Sequence, residues 1–304
     1  MTYVMFVVGL AGLFFGGEYL VRGASVLARR FGLSPMVIGL TVVGFGTSAP
    51  ELLVSVQAAL AGEPGIAIGN VMGSNIANIL LILGISAVIA PLVIPARRLW
   101  RDLGFMMLAS LALWPVLADG AVTRVDGLVL LGGLAVFLLV ALRMGGNPED
   151  VELTVDEPAW KAAAQTLGGL VLLVIGARFL VDSASEIARG FGISEAVIGL
   201  TVVAVGTSLP ELATSAIAAF RRQTDIAVGN VVGSNIFNIF GILGATAMIA
   251  PIDSVDARFM AVDFPWVVGT AAAVTVLALA LGRLPRWLGG VLLVVYAGYV
   301  ALML

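Results

Sequence analysis

The sequence predicts an all-α polytopic membrane protein with ten transmembrane helices, arranged as two inverted repeats of five helices. Three observations support this prediction. The 304 residues are 60% hydrophobic and only 12% charged, whereas soluble domains carry about 25% charged residues. Apolar runs of about 20 residues, the length that spans a bilayer, recur along the chain. The second half of the chain then repeats the polar motifs of the first half.

The predicted spans lie between short polar loops. The first run begins MTYVMFVVGL and is expected to be retained, because it lacks the basic start of a cleaved signal peptide. The ten spans are predicted at residues 2–28, 34–60, 65–89, 102–118, 124–142, 160–187, 194–220, 225–249, 259–281 and 286–303.

The basic residues predict the orientation. With the N-terminus outside, eleven arginines and lysines fall in inside loops and three in outside loops. This positive-inside bias predicts a multi-pass protein of the cell (inner) membrane with both termini extracytoplasmic. The acidic segment 144–159 is then a cytoplasmic linker. The alternative for this segment is a regulatory cation site on its carboxylates, at Glu149, Asp150, Glu152, Asp156 and Glu157.

The linker separates two copies of one unit, at residues 1–143 and 160–304. GLTVVGFGTSAPEL at 39–52 returns as GLTVVAVGTSLPEL at 199–212. IAIGNVMGSNIANILLILG at 66–84 returns as IAVGNVVGSNIFNIFGILG at 226–244, with 14 of 19 positions identical. Both matches keep an offset of 160. Five spans are an odd number, so the second copy must enter the membrane upside down, as in secondary transporters.

The repeated motifs place one glutamate in the middle of an apolar span of each copy, at Glu51 and Glu211. A carboxylate at the bilayer centre costs about 2.5–3.5 kcal/mol on insertion scales, which makes it a functional-site hypothesis by default. Pseudo-symmetry brings equivalent positions together near the midplane. Two carboxylates in a low dielectric repel unless a cation lies between them.

Further oxygen donors accompany the glutamates. Pro50 and Pro210 precede them and break the helix ladder, which frees upstream carbonyls for cation binding. The predicted carbonyl donors are Gly44, Thr47, Ala204 and Thr207. The predicted hydroxyl and amide donors are Ser48, Ser208, Ser74, Ser234, Asn78 and Asn238. Interhelical polar contact is the alternative role for the serines and asparagines, and it is favoured for Asn75 and Asn235, which are expected to point elsewhere.

The donor set consists of hard oxygen atoms, which suits Ca²⁺ or Na⁺. The sequence has no cysteine and no histidine, so thiolate and imidazole metal sites are excluded. Two ionised glutamates carry a charge of −2, which one Ca²⁺ balances. Several Na⁺ ions in flanking oxygen cages can replace that Ca²⁺ but cannot coexist with it. Mutual exclusion at one shared site predicts antiport by competition.

The first helix of each copy carries two further patterns. Glu18 and Arg22 are four residues apart, as are Arg178 and Asp182, and both spacings predict ion pairs within one helix. The same helices are rich in glycine, which permits close helix approach. We expect a smooth glycine face there that slides over the core.

At GTSAPEL…GNVMGSNIAN and GTSLPEL…GNVVGSNIFN the sequence resembles the sodium/calcium exchanger family, within the cation/calcium exchanger superfamily, and looks like a compact prokaryotic member. The resemblance covers essentially the whole chain. It implies that the second, third, seventh and eighth helices enclose the ions, while the long first and sixth helices slide to alternate access.

The resemblance also implies a role for each candidate residue. The central Ca²⁺ ligands, which also share Na⁺, are the side chains of Glu51 and Glu211 and the carbonyls of Thr47 and Thr207. One flanking Na⁺ site is lined by Ser48, Ser74 and the Gly44 carbonyl. The other is lined by Ser208, Ser234 and the Ala204 carbonyl. Some family members carry aspartate at one of the two positions that border the centre, whereas this chain has asparagine at both, Asn78 and Asn238.

The sequence therefore predicts an antiporter that exchanges Na⁺ for Ca²⁺, with 3 Na⁺: 1 Ca²⁺ electrogenic exchange implied by the resemblance. An H⁺/Ca²⁺ antiporter of the same superfamily is the alternative. A cation channel is disfavoured by the inverted halves, and an enzyme by the lack of a nucleophile–base pair. The expected partners are Ca²⁺ and Na⁺ as substrates and the lipid bilayer. No nucleic acid, no required protein partner and no cofactor is indicated.

Overall fold

The computed structural model describes residues 1–94, 96–144, 157–191 and 206–303. Within these ranges the chain is mostly helical. The helices are α1 (Thr2–Arg30), α2 (Pro35–Thr47), α3 (Ala49–Leu60), α4 (Pro64–Ile89), α5 (Ala96–Leu117), α6 (Arg124–Met144), α7 (Ala159–Gly190), α8 (Leu209–Phe220), α9 (Thr224–Ile249), α10 (Phe259–Leu281) and α11 (Arg286–Met303). Two short strands, β1 (Leu92–Val93) and β2 (Arg283–Leu284), pair antiparallel.

Six helices are long and apolar enough to cross a membrane, and the bent pair α2–α3 makes a seventh when it is counted as one span. These counts refer to the described ranges. The chain is therefore a helical multi-pass membrane protein. Most helix ends lie within a few residues of the predicted ones, and the span predicted at 194–220 is described only from Gly206 onward.

The helix predicted at 102–118 begins earlier, at Ala96. In the structure the guanidinium of Arg101 lies 3.1 Å from the carboxylate of Asp102, which is 1% exposed. Pairing the two charges allows the helix to continue past both of them.

The central helices are α4 and α9. The apolar part of α9 is fully buried and that of α4 is 72% buried, whereas α1, α6, α7 and α10 are only 22–33% buried. The apolar faces of these outer helices are consistent with contact with lipid. Helices α2 and α8 pack on α9, and α3 packs on α4. The polar motifs of the sequence thus lie on the helices that are most enclosed.

Helix α2 packs on α9 almost backbone to backbone. A Cβ atom at Gly229 would lie 2.7 Å from the carbonyl oxygen of Met36, and one at Gly233 would overlap the backbone of Leu40. Both glycines belong to the repeated GNVVGSN motif. The close approach allows backbone groups of α2 to reach side chains of α9.

The glutamate-bearing helices α3 and α8 begin at the same point of each repeat. Ser48 (φ −82°, ψ 8°) lies between α2 and α3, which are bent by 43°. Ser208 (φ −87°, ψ 8°) precedes α8 in nearly the same conformation. A proline follows each serine within the first two helical positions, where its missing N–H breaks no hydrogen bond inside the new helix.

Helices α1 and α7 cross antiparallel through their glycines. A Cβ atom at Gly16 would lie 2.9 Å from the carbonyl oxygen of Gly169, and one at Gly9 would lie 2.9 Å from that of Gly176. The predicted glycine face therefore packs mainly against the other long helix rather than against the core. Gly17 is the position that faces the core, against Ile217 and Ala213 of α8.

The predicted ion pair between Glu18 and Arg22 is wrong. Glu18 instead accepts hydrogen bonds from Arg221 at the end of α8, with Nε at 2.6 Å, and Arg22 lies 3.1 Å from the carboxylate of Glu157. Long charged side chains can reach partners on neighbouring elements, and the gain from a surface pair within one helix is only about 0.3–0.5 kcal/mol. The pair of Arg178 with Asp182 is present, at 3.9 Å.

The glycine contact of α1 with α7 leads to a stability prediction. Gly169→Ala is expected to lower stability by about 1–3 kcal/mol, the usual cost of overpacking, because its Cβ would lie 2.7 Å from the carbonyl oxygen of Gly16. Thermal unfolding of the purified protein in detergent measures this. Gly168→Ala is the control, since no atom lies within 4 Å of its Cβ, and its melting temperature should be unchanged or higher. Equal shifts in the two variants would contradict the packing described.

Candidate functional site

The site is built around two carboxylates on opposite repeats. Glu51 lies in the first turn of α3 and Glu211 in the first turn of α8, and each side chain is 1% exposed. Each follows the helix break by three residues, so the break fixes the direction in which the glutamate enters the interior. Neither forms an ion pair with another described residue. Two buried acids without a cationic partner require a bound cation or protons.

The glutamates and the break serines are hydrogen-bonded crosswise between the repeats. The hydroxyl of Ser48 donates to Oε1 of Glu211 at 2.9 Å, and the hydroxyl of Ser208 donates to Oε1 of Glu51 at 3.1 Å. Each repeat therefore positions the carboxylate of the other. The crossed pairs bring the first turns of α3 and α8 together, as expected of symmetric positions.

Four buried oxygen atoms of the predicted ligands have no hydrogen-bond partner. They are Oε2 of Glu51, Oε2 of Glu211, Oδ1 of Asn78 and Oδ1 of Asn238. An unsatisfied buried acceptor costs about 1–3 kcal/mol, so four in one region indicate a ligand that such acceptors can bind. Carboxylate and amide oxygens are hard donors of the kind that Ca²⁺ and Na⁺ prefer.

No group of three or more histidine, cysteine, aspartate or glutamate side chains that could hold a metal ion occurs in the part of the chain that the structure describes. The two buried carboxylates, Glu51 and Glu211, are accompanied by neutral hydroxyl and amide oxygens. When both glutamates are ionised, they contribute a charge of −2.

The serines of α4 and α9 lie beside this centre, at 6% and 0% exposure for Ser74 and Ser234. Ser74 accepts a hydrogen bond from Nδ2 of Asn238 at 3.3 Å and itself donates to the carbonyl of Asn70. Ser234 lies 3.4 Å from the carbonyl oxygen of Gly44. The structure thus brings Gly44 to the serine of the other repeat, whereas the resemblance groups Gly44 with Ser74. The glycine contact of α2 with α9 is the physical reason.

The threonines are placed differently in the two repeats. Thr47 is fully buried, and its hydroxyl lies 3.1 Å from the carbonyl oxygen of Val43 and 3.2 Å from Oδ1 of Asn230. Thr207 is half-buried in the turn before α8. Ala204, the remaining predicted carbonyl donor, lies outside the described residues.

Two asparagines that the sequence analysis overlooked support the glutamate helices. Nδ2 of Asn70 donates to the Glu51 carbonyl at 3.0 Å and to Ser55 at 2.8 Å. Nδ2 of Asn230 donates to the Glu211 carbonyl at 3.3 Å and to Ser215 at 2.9 Å. The sequence repeat could have identified both residues, because Asn70 and Asn230 occupy the same position of the repeated GNVxGSN motif at the offset of 160.

Asn235 makes the interhelical polar contact that was favoured for it, but the expectation that its side chain points away from the predicted ligands is wrong. Asn235 is 2% exposed, and its Oδ1 accepts a hydrogen bond from Nδ2 of Asn78 at 3.0 Å. Helical spacing places consecutive residues on different faces of an isolated helix. The site lies between two helices, however, so α4 meets a face of α9 that the spacing within α9 alone does not identify.

The chain is similar to known membrane proteins over nearly its whole length. The sodium/calcium exchanger protein family matches residues 1–143 and 161–304. The chain is 33% identical to the sodium/calcium exchanger MaX1 of Methanosarcina acetivorans, over 100% of this chain and 98% of that protein. It is 40% identical to the inner membrane protein YrbG of Escherichia coli, over 83% and 81%. The solved structure of the sodium-calcium exchanger NCX_Mj is 34% identical and superposes with a TM-score of 0.86, covering 99% of this chain and 98% of that one.

The asparagine contacts predict unequal losses of stability. Asn230→Ala is expected to destabilise the protein by about 1–3 kcal/mol, and more than Asn70→Ala, because Asn230 also contacts Thr47. Thermal unfolding in detergent at one fixed ion composition measures the difference. Asn75→Ala is the volume control, since the side chain of Asn75 donates one hydrogen bond, to Val71 in its own helix. A loss for Asn75→Ala as large as that for Asn230→Ala would contradict the assignment.

Proposed function

The chain belongs to the sodium/calcium exchanger family, whose members exchange Ca²⁺ for another cation across a membrane, and we propose that it exchanges Na⁺ for Ca²⁺ by alternating access. The observation that carries the proposal is the crossed arrangement of Glu51 and Glu211, each buried, each held by a serine of the other repeat, and each with one oxygen atom left unpartnered.

The charge of this arrangement accounts for competition between the two ions. One Ca²⁺ neutralises two ionised glutamates, and Na⁺ ions in the neighbouring oxygen cages achieve the same neutralisation. Loading both kinds of cation would leave uncompensated positive charge in a low dielectric, which is unfavourable. Release of one ion type therefore accompanies binding of the other, which couples the two fluxes.

We assign the ligands as follows. Ca²⁺ binds between Glu51 and Glu211, with the carbonyls of Thr47 and Thr207 beside them and Asn78 and Asn238 bordering the centre. The flanking Na⁺ ions use the hydroxyls of both break serines and of Ser74 and Ser234. The carbonyls of Gly44 and Ala204 complete these cages. The contact of Gly44 with Ser234 supports a cage that is shared by both repeats.

The proposed topology has ten spans in two inverted repeats, residues 1–143 and 160–304, joined by a cytoplasmic linker at 144–159. Contacts between loops support it. Strands β1 and β2 join two loops that both lie inside in this topology, with Leu92 opposite Leu284. A bridge between Val122 and Ile252 joins two loops that both lie outside. Leu92 and Ile252 are 160 residues apart and their partners Val122 and Leu284 are 162 apart, so the two contacts join corresponding loops of the repeats.

The proposed location is the cell (inner) membrane, with both termini extracytoplasmic. The distribution of arginine and lysine supports this orientation, and the relative YrbG is an inner membrane protein. Movement of α1 and α7 relative to the core is the proposed source of alternating access. Their apolar faces are exposed outside the core, and their contact with each other is lined by glycine.

Transport in proteoliposomes tests the coupling ion. ⁴⁵Ca²⁺ uptake is expected when vesicles contain Na⁺ and the bath does not, and no uptake is expected when Na⁺ is equal on both sides. Glu51→Gln and Glu211→Gln should each abolish uptake, because the site then lacks the charge that balances Ca²⁺. Glu63→Gln is the matched control: Glu63 is exposed, and the second repeat already has Gln223 at the equivalent position.

Uptake driven by a pH gradient and indifferent to Na⁺ would transfer the assignment to H⁺/Ca²⁺ antiport. A Ca²⁺ conductance far above carrier turnover would instead indicate a channel.

Stoichiometry is tested by the membrane potential. We propose 3 Na⁺: 1 Ca²⁺, so that each Ca²⁺ taken up moves one net positive charge out of the vesicle. A valinomycin-clamped, inside-positive potential should therefore accelerate Na⁺-driven Ca²⁺ uptake, and an inside-negative potential should slow it. Equal initial rates at both potentials would show an electroneutral 2: 1 exchange. Ionophore-treated vesicles that contain the Glu51→Gln variant provide the background.

A further inference from the structure

We infer that Asn235 is a positioning residue that fixes the amide orientation of Asn78, so that the carbonyl oxygen of Asn78 and not its amide nitrogen is available to the transported cations. The inference rests on the proposed function, in which Asn78 borders the ion site. It assigns to Asn235 a role that the symmetric residue of the other repeat does not have.

The orientation of Asn235 is set by two groups that only accept hydrogen bonds. Its Nδ2 lies 3.3 Å from the backbone carbonyl oxygen of Asn75 and 3.9 Å from the Sδ atom of Met106. A carbonyl oxygen and a thioether have no hydrogen to donate. The amide nitrogen of Asn235 must therefore face them, and its Oδ1 must face the opposite way.

The orientation of the Asn235 amide in turn fixes the orientation of the Asn78 amide. Oδ1 of Asn235 accepts a hydrogen bond from Nδ2 of Asn78 at 3.0 Å. If the amide of Asn78 were reversed, two carbonyl oxygens would face each other and this hydrogen bond would be lost. The Asn78 nitrogen is thus held on the side of Asn235, which leaves its Oδ1 buried and without a partner.

Burial prevents water from replacing these contacts. The side chains of Asn75, Asn78, Met106 and Asn235 are each 1–2% exposed. In such surroundings an unpaired amide or carbonyl group costs about 1–3 kcal/mol, so the two amides lock each other in one orientation. A cation then meets an oxygen that is already turned toward it, without an energetic cost of reorienting the side chain.

The equivalent position in the first repeat is arranged differently. Nδ2 of Asn75 donates to the carbonyl of Val71 in its own helix at 2.7 Å, and its Oδ1 has no partner. Asn238, the counterpart of Asn78, donates to the hydroxyl of Ser74 instead. The pair Asn75 and Asn238 is therefore a matched control of identical residue types, related to Asn235 and Asn78 by the offset of 160.

A double-mutant cycle separates positioning from a general structural role. Asn235→Leu, which keeps the branched shape and the number of heavy atoms of the side chain, is expected to raise the apparent Kd for Ca²⁺ about tenfold, the lower end of the loss caused by removing a group that orients a metal ligand. Asn78→Ala is expected to have a similar effect. Because Asn235 acts through Asn78, the double variant should bind Ca²⁺ within about twofold of Asn78→Ala alone.

Equilibrium ⁴⁵Ca²⁺ binding to the purified, monodisperse full-length protein is the measurement, with the melting temperature recorded for every variant. Asn75→Leu and Asn238→Ala form the control cycle, and their effects on the Kd should multiply. If Asn235→Leu is not recovered as a monodisperse protein, Asn235→Ser takes its place. Its shorter hydroxyl cannot reach all three partners, so the same lack of additivity is expected, with a loss of about threefold.

The possible results separate a failure of this inference from a failure of the proposed function. Multiplying effects of Asn235→Leu and Asn78→Ala would overturn the positioning role, as would an unchanged Kd in Asn235→Leu beside a raised Kd in Asn78→Ala. An unchanged Kd in Asn78→Ala would remove Asn78 from the ion site and overturn the inference with it. Proton-driven uptake combined with a non-additive cycle would overturn Na⁺ coupling and leave the positioning role supported.

Discussion

Two carboxylates of like charge, buried in the same region of a membrane protein, impose the constraint on which the rest of this structure depends. Glu51 and Glu211 are each 1% exposed and form no ion pair within the described ranges. A fixed positive side chain would satisfy them permanently and would exclude a transported ion. The chain instead surrounds them with neutral hydroxyl and amide groups, which orient the carboxylates without cancelling their charge. The helix break at Ser48, the matching helix start at Ser208, the crossed hydrogen bonds and the unpartnered oxygens all contribute to this arrangement.

Much of the site could be predicted from sequence, because its residues are polar exceptions within apolar runs and each exception occurs twice. An offset of 160 identifies Glu51 with Glu211 and Ser48 with Ser208 without any structural information. The offset does not reveal which repeat a side chain contacts. That Ser48 binds Glu211, and that Gly44 lies against Ser234, depends on how closely α2 packs on α9. Such packing follows from the three-dimensional fit of glycine surfaces, which periodicity within one helix does not specify.

The predictions from sequence were wrong for two long charged side chains and for one residue that lies between two packed helices. Glu18 and Arg22 have the spacing of a pair within one helix, yet both contact other elements, because flexible charged side chains at a surface gain little from any one partner. Asn235 failed for a different reason. It does not share the helix face of Ser234 and Asn238, but a residue between two packed helices can contact the partner helix from an adjacent face. Symmetry in sequence also did not guarantee symmetry in contacts, since Asn75 and Asn235 form different hydrogen bonds.

The two parts of the molecule differ in the kind of contact that holds them. Around the site, α4 and α9 are connected by directed hydrogen bonds between buried amides, hydroxyls and carbonyls. Such contacts permit only one relative position, because a shift of one residue would leave each group unpaired. The contact of α1 with α7 is made by glycine backbones, and among the described residues Gly17 and Glu18 link α1 to α8 through an apolar contact and an exposed ion pair. Contacts of this second kind are mainly apolar or exposed, and the hydrogen bond that the Ser25 hydroxyl of α1 donates to Oε1 of Gln223 is a directed exception. In the proposed alternating access, the site stays fixed while α1 and α7 move relative to it. The hydrogen-bonded amides of α4 and α9 suit the first role, and the glycine contact of α1 with α7 suits the second.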